Sequence, residues 1–179
     1  MSDDFGMSCV ARYLKRDVVN TQTILEDLLS SELITSDEYA CWIERLIMLN
    51  YRNVRVSARD IFLRLQKSQY VTTEGTRAMI KVLEAPDCAE DCAVVVAASL
   101  VVLLATRAPI RQTDLILWTI LAALRHGREM GIVLLKFRDK VHSALASKPT
   151  IRDHVIRTIE SFIASNSWTV KSLMSGGGH

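Results

Sequence analysis

Residues 103–121 read LLATRAPIRQTDLILWTIL and pass from an apolar helix end, through a short polar turn, into a second apolar helix. The same pattern occurs at residues 28–46, 65–83 and 145–163, and the first positions of the four copies lie 37, 38 and 42 residues apart. Spacings of this size are typical of helical-hairpin repeats. Any bundle of amphipathic hairpins with Ser or Thr caps also looks self-similar, so common ancestry of the copies stays open. Both interpretations predict an all-α fold, a multi-helix bundle of about eight or nine helices built from helical hairpins.

The composition is that of a globular chain. Of its 179 residues, 49% are apolar and 23% are charged, with only 7 Gly and 3 Pro. These values fit one domain, or two small ones that share a core, and exclude a disordered chain. The four cysteines show no metal or redox spacing and no secretory signal precedes them, so we expect an intracellular protein, cytoplasmic or nuclear. They are Cys9, Cys41, Cys88 and Cys92.

Charge is spread unevenly along the chain. Residues 1–92 hold 11 Lys/Arg against 15 Asp/Glu, whereas residues 93–179 hold 11 against 5. We therefore predict an acidic N-terminal helical unit over residues 1–84 and a basic, more apolar C-terminal unit over residues 89–168, with a flexible tail at 169–179. Such polarity permits head-to-tail self-association or an anionic partner. Two differently solvated faces of a single domain would explain it as well.

Helix starts follow from cap chemistry. Thr35 and Glu38 have the spacing of a capping box, and Ser57 with Asp60 and Thr150 with Asp153 repeat it with the shorter acid. The predicted helices lie near residues 7–18, 21–33, 36–49, 57–68, 73–84, 89–107, 110–126, 130–147 and 151–165.

Two of these helices are unusually apolar. Residues 92–106 and 115–124 carry no charge at all. At ~1.5 Å per residue the longer run falls short of the ~30 Å hydrocarbon core of a membrane, so we expect both helices at the centre of the bundle. An aspartate at Val96 or Leu117 should then unfold the protein. Trp42 and Trp118 occupy matching places in two copies of the pattern and are predicted to anchor the core.

Catalytic motifs are missing from the sequence. There is no HExxH, GxSxG or CxxC motif and no glycine-rich phosphate loop. Cys88 and Cys92 lie one helical turn apart, but their spacing does not favour a zinc site with any of the histidines. We expect no enzyme activity, cofactor or metal.

A basic set surrounds the Gly127/Gly131 turn and extends into the next hairpin. Clustered cations of this kind can contact the phosphates of a nucleic acid, although a solvated face is the simpler explanation. The candidate phosphate-contacting residues are Arg125, Arg128, Lys136, Arg138, Lys140, Arg152 and Arg157.

The stretch from Ile24 to Glu84 resembles the death fold, the six-helix module of death-effector and CARD domains. The resemblance rests on LEDLLSSELI (residues 25–34), DIFLRL (60–65) and MIKVL (79–83). The RxDL signature of death-effector domains is missing, since residues 84–87 read EAPD, and the connection from Thr35 to Ala58 is long for a CARD. The resemblance implies homotypic assembly through charged faces, in an adaptor or regulator of apoptotic or innate-immune signalling.

Residues 110–166 are similar to the helical core of the pneumovirus transcription antitermination protein. The segments that carry this likeness are IRQ (110–112), KFRD (136–139), KPTIR (148–152) and IESFIASN (159–166). The family's core binds RNA and a phosphoprotein through basic helical surfaces. Its N-terminal Cys3His zinc finger is absent from this sequence, which puts tetramerisation and antitermination in doubt.

Three functions fit these features. The first is a non-enzymatic helical protein–protein interaction or assembly protein, whose partner is a second copy of itself or another protein. The second is a small RNA-associated helical protein, of viral type, that binds the phosphate backbone through its basic C-terminal surface. The third is a membrane-active bundle whose central hairpin inserts, which the helix lengths disfavour.

Overall fold

The computed structural model describes residues 20–51, 53–86 and 88–175, with side chains as far as residue 166. These residues form eight α-helices and no strand, which confirms the predicted all-α bundle. The predicted helix near residues 7–18 lies outside the described part of the chain. The helices are α1 (Thr21–Ser30), α2 (Ser36–Met48), α3 (Ala58–Lys67), α4 (Glu74–Lys81, followed by a 3-10 turn at Val82–Glu84), α5 (Glu90–Arg107), α6 (Ile110–Arg125), α7 (Met130–Ala144) and α8 (Pro149–Ser175).

The four copies of the sequence pattern are the turns of four helical hairpins, α1–α2, α3–α4, α5–α6 and α7–α8. Each copy begins at the end of the first helix and continues through the second. The last helix runs further than expected, to Ser175, because no proline or glycine interrupts the chain between Pro149 and Gly176.

The predicted caps at Thr35 and Ser57 are present as complete capping boxes. The Glu38 N–H donates to Thr35 Oγ1 at 3.2 Å, and the Thr35 N–H donates to Glu38 Oε2 at 2.8 Å. The backbone N–H and then the hydroxyl of Thr35 lower the pKa of the Glu38 carboxyl. The box predicted at Thr150 is wrong, because α8 already begins at Pro149, whose fixed φ suits a first helical position.

Helices α1, α2 and α3 end in left-handed turns without a glycine. Glu32, Asn50 and Gln69 adopt φ values of 57°, 59° and 54°. In the first of these turns the Leu33 N–H donates to the Leu28 carbonyl at 2.9 Å, the long hydrogen bond of a Schellman motif. The residue at Leu33's position usually packs back on its helix. Leu33 instead keeps 72% of its surface exposed.

The chain divides into two compact units, Met1–Val82 and Leu83–His179. In the first unit α2 packs against α1, α3 and α4. Arg64 Nε bonds Glu44 Oε2 at 2.6 Å between α3 and α2, beside Gly75 of α4. A Cβ atom at Gly75 would lie 1.9 Å from Glu44 Oε1, so a larger residue there would force the Glu44 side chain to shift.

In the second unit α5 packs against α6, α7 and α8, and its contact with α7 is the most extensive. The buried side chains come from all four helices and include Leu100, Leu104, Ile116, Leu117, Ile120, Leu121, Phe137, Val141, Val155 and Ile159. None of the helices in the described part of the chain is both long enough and apolar enough to cross a membrane.

The two apolar helices are not buried on all sides. In α5, Val95 is exposed and Val96 is half-buried; in α6, Leu115 is 72% exposed and Trp118 is 39% exposed. The expectation of wholly buried segments was therefore wrong at these positions, since even a helix that packs against the three others of its unit, as α5 does, leaves part of its circumference to solvent. Trp42 is also exposed and carries the Arg45 guanidinium 5.2 Å from its ring centroid, so neither tryptophan anchors the core as expected.

The division into units alters the distribution of charge. Residues 1–82 hold 11 Lys/Arg against 11 Asp/Glu, and residues 83–179 hold 11 against 9. The acidic residues at positions 84–91 fall in the second unit, where two of them face Lys136. Any electrostatic attraction therefore has to come from local patches rather than from the net charge of whole units.

Leu115 and Leu117 form a matched pair in one helix, two residues apart. Leu117 has no exposed surface, so Leu117→Asp should lower the free energy of unfolding by about 4 kcal/mol or more, because the carboxylate would be buried without a partner. Leu115→Asp should change it by less than about 0.5 kcal/mol. Urea denaturation followed by circular dichroism measures both values, and equal losses would contradict this arrangement of α6.

Candidate interaction surface

Two of the predicted phosphate-contacting residues bind the amino end of α5. Arg128 Nη2 donates to the Cys88 carbonyl at 3.1 Å, and Lys136 Nζ bonds Glu90 and Asp91 at 2.7 Å and 3.1 Å. The hydrogen bonds that the ammonium donates to Glu90 and then to Asp91 raise the pKa of Lys136. No side chain caps this end of α5, so the two cations fix the α6–α7 turn and α7 against it. Both have structural partners that a phosphate would have to displace.

Two further cations of the set pair with the next residue in sequence. Arg138 lies 3.0 Å from Asp139, and Arg152 lies 2.8 Å from Asp153. Lys140 is exposed and forms no ion pair within the described part of the chain. The seven predicted residues are therefore distributed over several environments, and no more than a few remain available to an outside anion.

Arg125 and Arg157 lie on the face formed by α6 and α8. Arg125 Nη1 donates to Asn166 Oδ1, which ties the end of α6 to α8. Arg157 Nε donates to the Asp153 carbonyl of its own helix at 3.2 Å. Arg111, which the sequence argument did not select, is exposed on the same face of α6 and has no ion pair among the described residues.

The exposed face of α6 is a regular stripe. Its members follow one another at intervals of four and three residues, the spacing of one helical face, and are Arg111, Leu115, Trp118, Ala122 and Arg125. Trp118 contacts Phe162 of α8 edge to face, with ring centroids 5.1 Å apart. Its ring thus has a fixed position beside α8 while part of it remains open to solvent.

A two-lobed cleft runs beside the stripe, between α6 and α8. One lobe, of about 200 Å³, is mainly apolar and is lined by residues that include Ile110, Ile151 and Val155. The other, of about 300 Å³, is more polar and more open and is lined by residues that include Asp114, Trp118 and Ser161. His154 and Arg157 line both lobes. We call the stripe and the cleft together the α6–α8 surface.

Polar side chains of the cleft have fixed partners. His154 Nε2 lies 2.9 Å from Asp114 Oδ1, and the Thr158 hydroxyl donates to the same oxygen at 3.4 Å. Ser161 Oγ donates to the Arg157 carbonyl at 2.8 Å. No group of His, Cys, Asp and Glu in the described residues has the geometry to hold a metal ion. Cys92 is exposed and Cys88 is half-buried.

Lys136 and Lys140 offer a matched test of which cations are structural. Lys136→Ala should lower the urea midpoint slightly at low salt, because Glu90 and Asp91 lose their partner, whereas Lys140→Ala should not. The pKa of Lys136 is raised in the folded state. The ion pairs of Lys136 therefore stabilise the fold fully below the ordinary lysine pKa, and this contribution disappears as pH rises through the pKa that Lys136 has in the folded protein. Denaturation at two salt concentrations tests this, and an equal effect of both substitutions would contradict it.

No protein-family model matches the chain, and neither a curated protein nor a solved structure matches it. The resemblances of residues 24–84 to the death fold and of residues 110–166 to the antitermination protein therefore stay predictions. The function has to be argued from the surface that the chain itself presents.

Proposed function

We propose that this chain is a non-enzymatic helical protein–protein interaction protein that binds its partner through the α6–α8 surface. The observation that carries the proposal is the exposure of Leu115, at 72%, and of Trp118, at 39%, on one face of the same helix beside a cleft. Single exposed apolar residues are common on soluble proteins. A leucine and a tryptophan together at the edge of a cleft form a contiguous patch, and such patches mark binding sites.

The composition of the surface matches that of a protein interface. Interfaces have an apolar centre and a polar rim and are enriched in tryptophan and arginine, which contribute most of the binding energy in many complexes. Here Leu115 and Trp118 form the centre, while Arg111, Arg125 and Arg157 lie around it. The contact of Trp118 with Phe162 holds its ring in place before binding, which reduces the entropy lost on association.

RNA binding is the alternative, and the observed contacts favour it less. Five of the seven predicted phosphate-contacting residues are engaged with carbonyls or carboxylates of the protein, namely Arg128, Lys136, Arg138, Arg152 and Arg157. Of the remaining two, Arg125 donates to Asn166, and Lys140 is exposed without an ion pair among the described residues. Contact with a phosphate backbone would not favour an exposed Leu115, whereas contact with an apolar side chain of another protein would remove the leucine surface from water.

A pair of double variants tests the proposal. The double variant Leu115→Glu with Trp118→Ala loses the apolar centre of the surface. Compared with the wild-type chain, it should capture at least tenfold less protein from nuclease-treated extracts of the cells that express the chain. The matched control is Ile132→Glu with Leu135→Ala on α7, two residues that are each 46% exposed. The control should retain the same proteins as the wild type.

Two outcomes would refute the assignment of the surface. One is equal capture by both variants, which would place binding elsewhere. The other is capture that occurs only when the nuclease is omitted and that weakens log-linearly with salt, which would indicate RNA as the partner.

A further inference from the structure

We infer that the partner seated on the α6–α8 surface is the α1–α2 turn of a second copy of this chain, so that copies associate head to tail. This inference rests on the proposed function and identifies its partner. Three observations carry it: the charge of the turn, its exposed leucine, and the two-lobed shape of the cleft.

The α1–α2 turn, residues 26–38, is the most one-sided run of charge in the described chain. It contains five acidic residues and no Lys, Arg or His. Glu38 is used in the capping box, and Asp37 lies 3.7 Å from Lys67. The other three, Glu26, Asp27 and Glu32, are exposed and form no ion pair within the described residues.

Leu33 lies at the tip of this turn. The Schellman motif that ends α1 places it directly after Glu32, and 72% of its surface remains exposed. The turn therefore presents a carboxylate and an aliphatic side chain from consecutive residues. Both belong to a backbone turn that two hydrogen bonds hold in place, Leu33 N–H to Leu28 O and Glu32 N–H to Leu29 O, at 2.9 Å and 3.1 Å.

The cleft between α6 and α8 offers the complementary pair of environments. Its apolar lobe, of about 200 Å³, exceeds the ~150 Å³ at which an apolar cavity admits benzene, so a leucine side chain fits. Arg157 lines both this lobe and its polar neighbour, and its guanidinium can receive the carboxylate of Glu32. Arg111 and Arg125 add positive charge at the two ends of the stripe, towards the other acids of the turn.

The geometry of such a contact determines the assembly that it produces. The turn and the α6–α8 surface are different patches, so the contact is heterologous: each added copy leaves one turn and one surface unused. Association then closes into a ring, of which a reciprocal dimer is the smallest, or continues as an open filament. Because the attraction is local and the units have almost no net charge, raising the salt concentration should weaken the assembly without abolishing its apolar part.

Sedimentation velocity of the full chain at about 50 mM and 500 mM salt is the first measurement, since screening lengths differ about threefold between such conditions. We expect the mass to rise above that of the monomer with concentration and to fall with salt. A monomer at every concentration would overturn the inference. If the chain were monomeric but the Leu115→Glu/Trp118→Ala variant still lost partner capture, the inference would fail and the proposed function would survive. If that variant also retained partner capture, the proposed function would fail as well.

Complementation tests the direction of the contact. The turn variant carries Glu32→Lys and Leu33→Ser, the surface variant carries Arg157→Glu and Ile110→Ser, and the control carries Leu135→Ser and Glu160→Lys; all six positions are exposed. Each test variant alone should associate at least tenfold more weakly than the wild type, and the control should associate normally. An equimolar mixture of the two test variants should form a heterodimer and nothing larger, because it contains one intact turn and one intact surface.

Two results of the mixing experiment contradict head-to-tail contact. In the first, the mixture stays monomeric although the wild type associates. In the second, either test variant still assembles like the wild type. Thermal unfolding of each variant confirms that it folds, and Leu33→Ser alone replaces the turn variant if the double substitution lowers stability.

Discussion

A helix of a four-helix unit packs through one side and leaves the other to solvent, and the properties of the second unit depend on this constraint. Helix α6 is apolar on two faces. Ile116, Leu117 and Ile120 are completely buried in the core, which leaves Leu115 and Trp118 on the opposite side. Removing this second face from water is favourable, at about 25 cal/mol for each Å² of apolar surface, but no helix in the described part of this unit covers it. A partner is the natural means of covering it.

The sequence predicts the helices better than it predicts their surroundings. Capping boxes at Thr35 and Ser57 are local, since every atom involved lies within four residues, and both are present. Burial is not local. Charge-free runs mark α5 and α6 as core helices. Leu117 is nevertheless buried and Leu115 is not, because burial depends on which side of the helix faces neighbours that are distant in sequence. Trp118 was misplaced for the same reason.

The candidate site shows the same limit for charged residues. The sequence groups seven cations, but their partners lie in distant segments: Arg128 donates to the Cys88 carbonyl, and Lys136 binds Glu90. These contacts span 40 and 46 positions. Only the fold reveals that Arg111 belongs with Arg157 and Trp118 on one surface, because α6 and α8 become neighbours through tertiary packing. The helical spacing of residues 111, 115, 118, 122 and 125 was the one signal that could have identified the stripe.

Side-chain footprinting measures most directly whether the α6–α8 surface is covered when the protein acts. Carbene labelling of the full chain, read by mass spectrometry, reports the exposure of Leu115 with Leu135 as an internal reference, since both start exposed. We predict that labelling of Leu115 falls severalfold as the chain associates or binds its partner, while labelling of Leu135 stays constant. If Leu115 is labelled as strongly in the complex as in the free protein, the surface is an ordinary solvated face and the account is wrong.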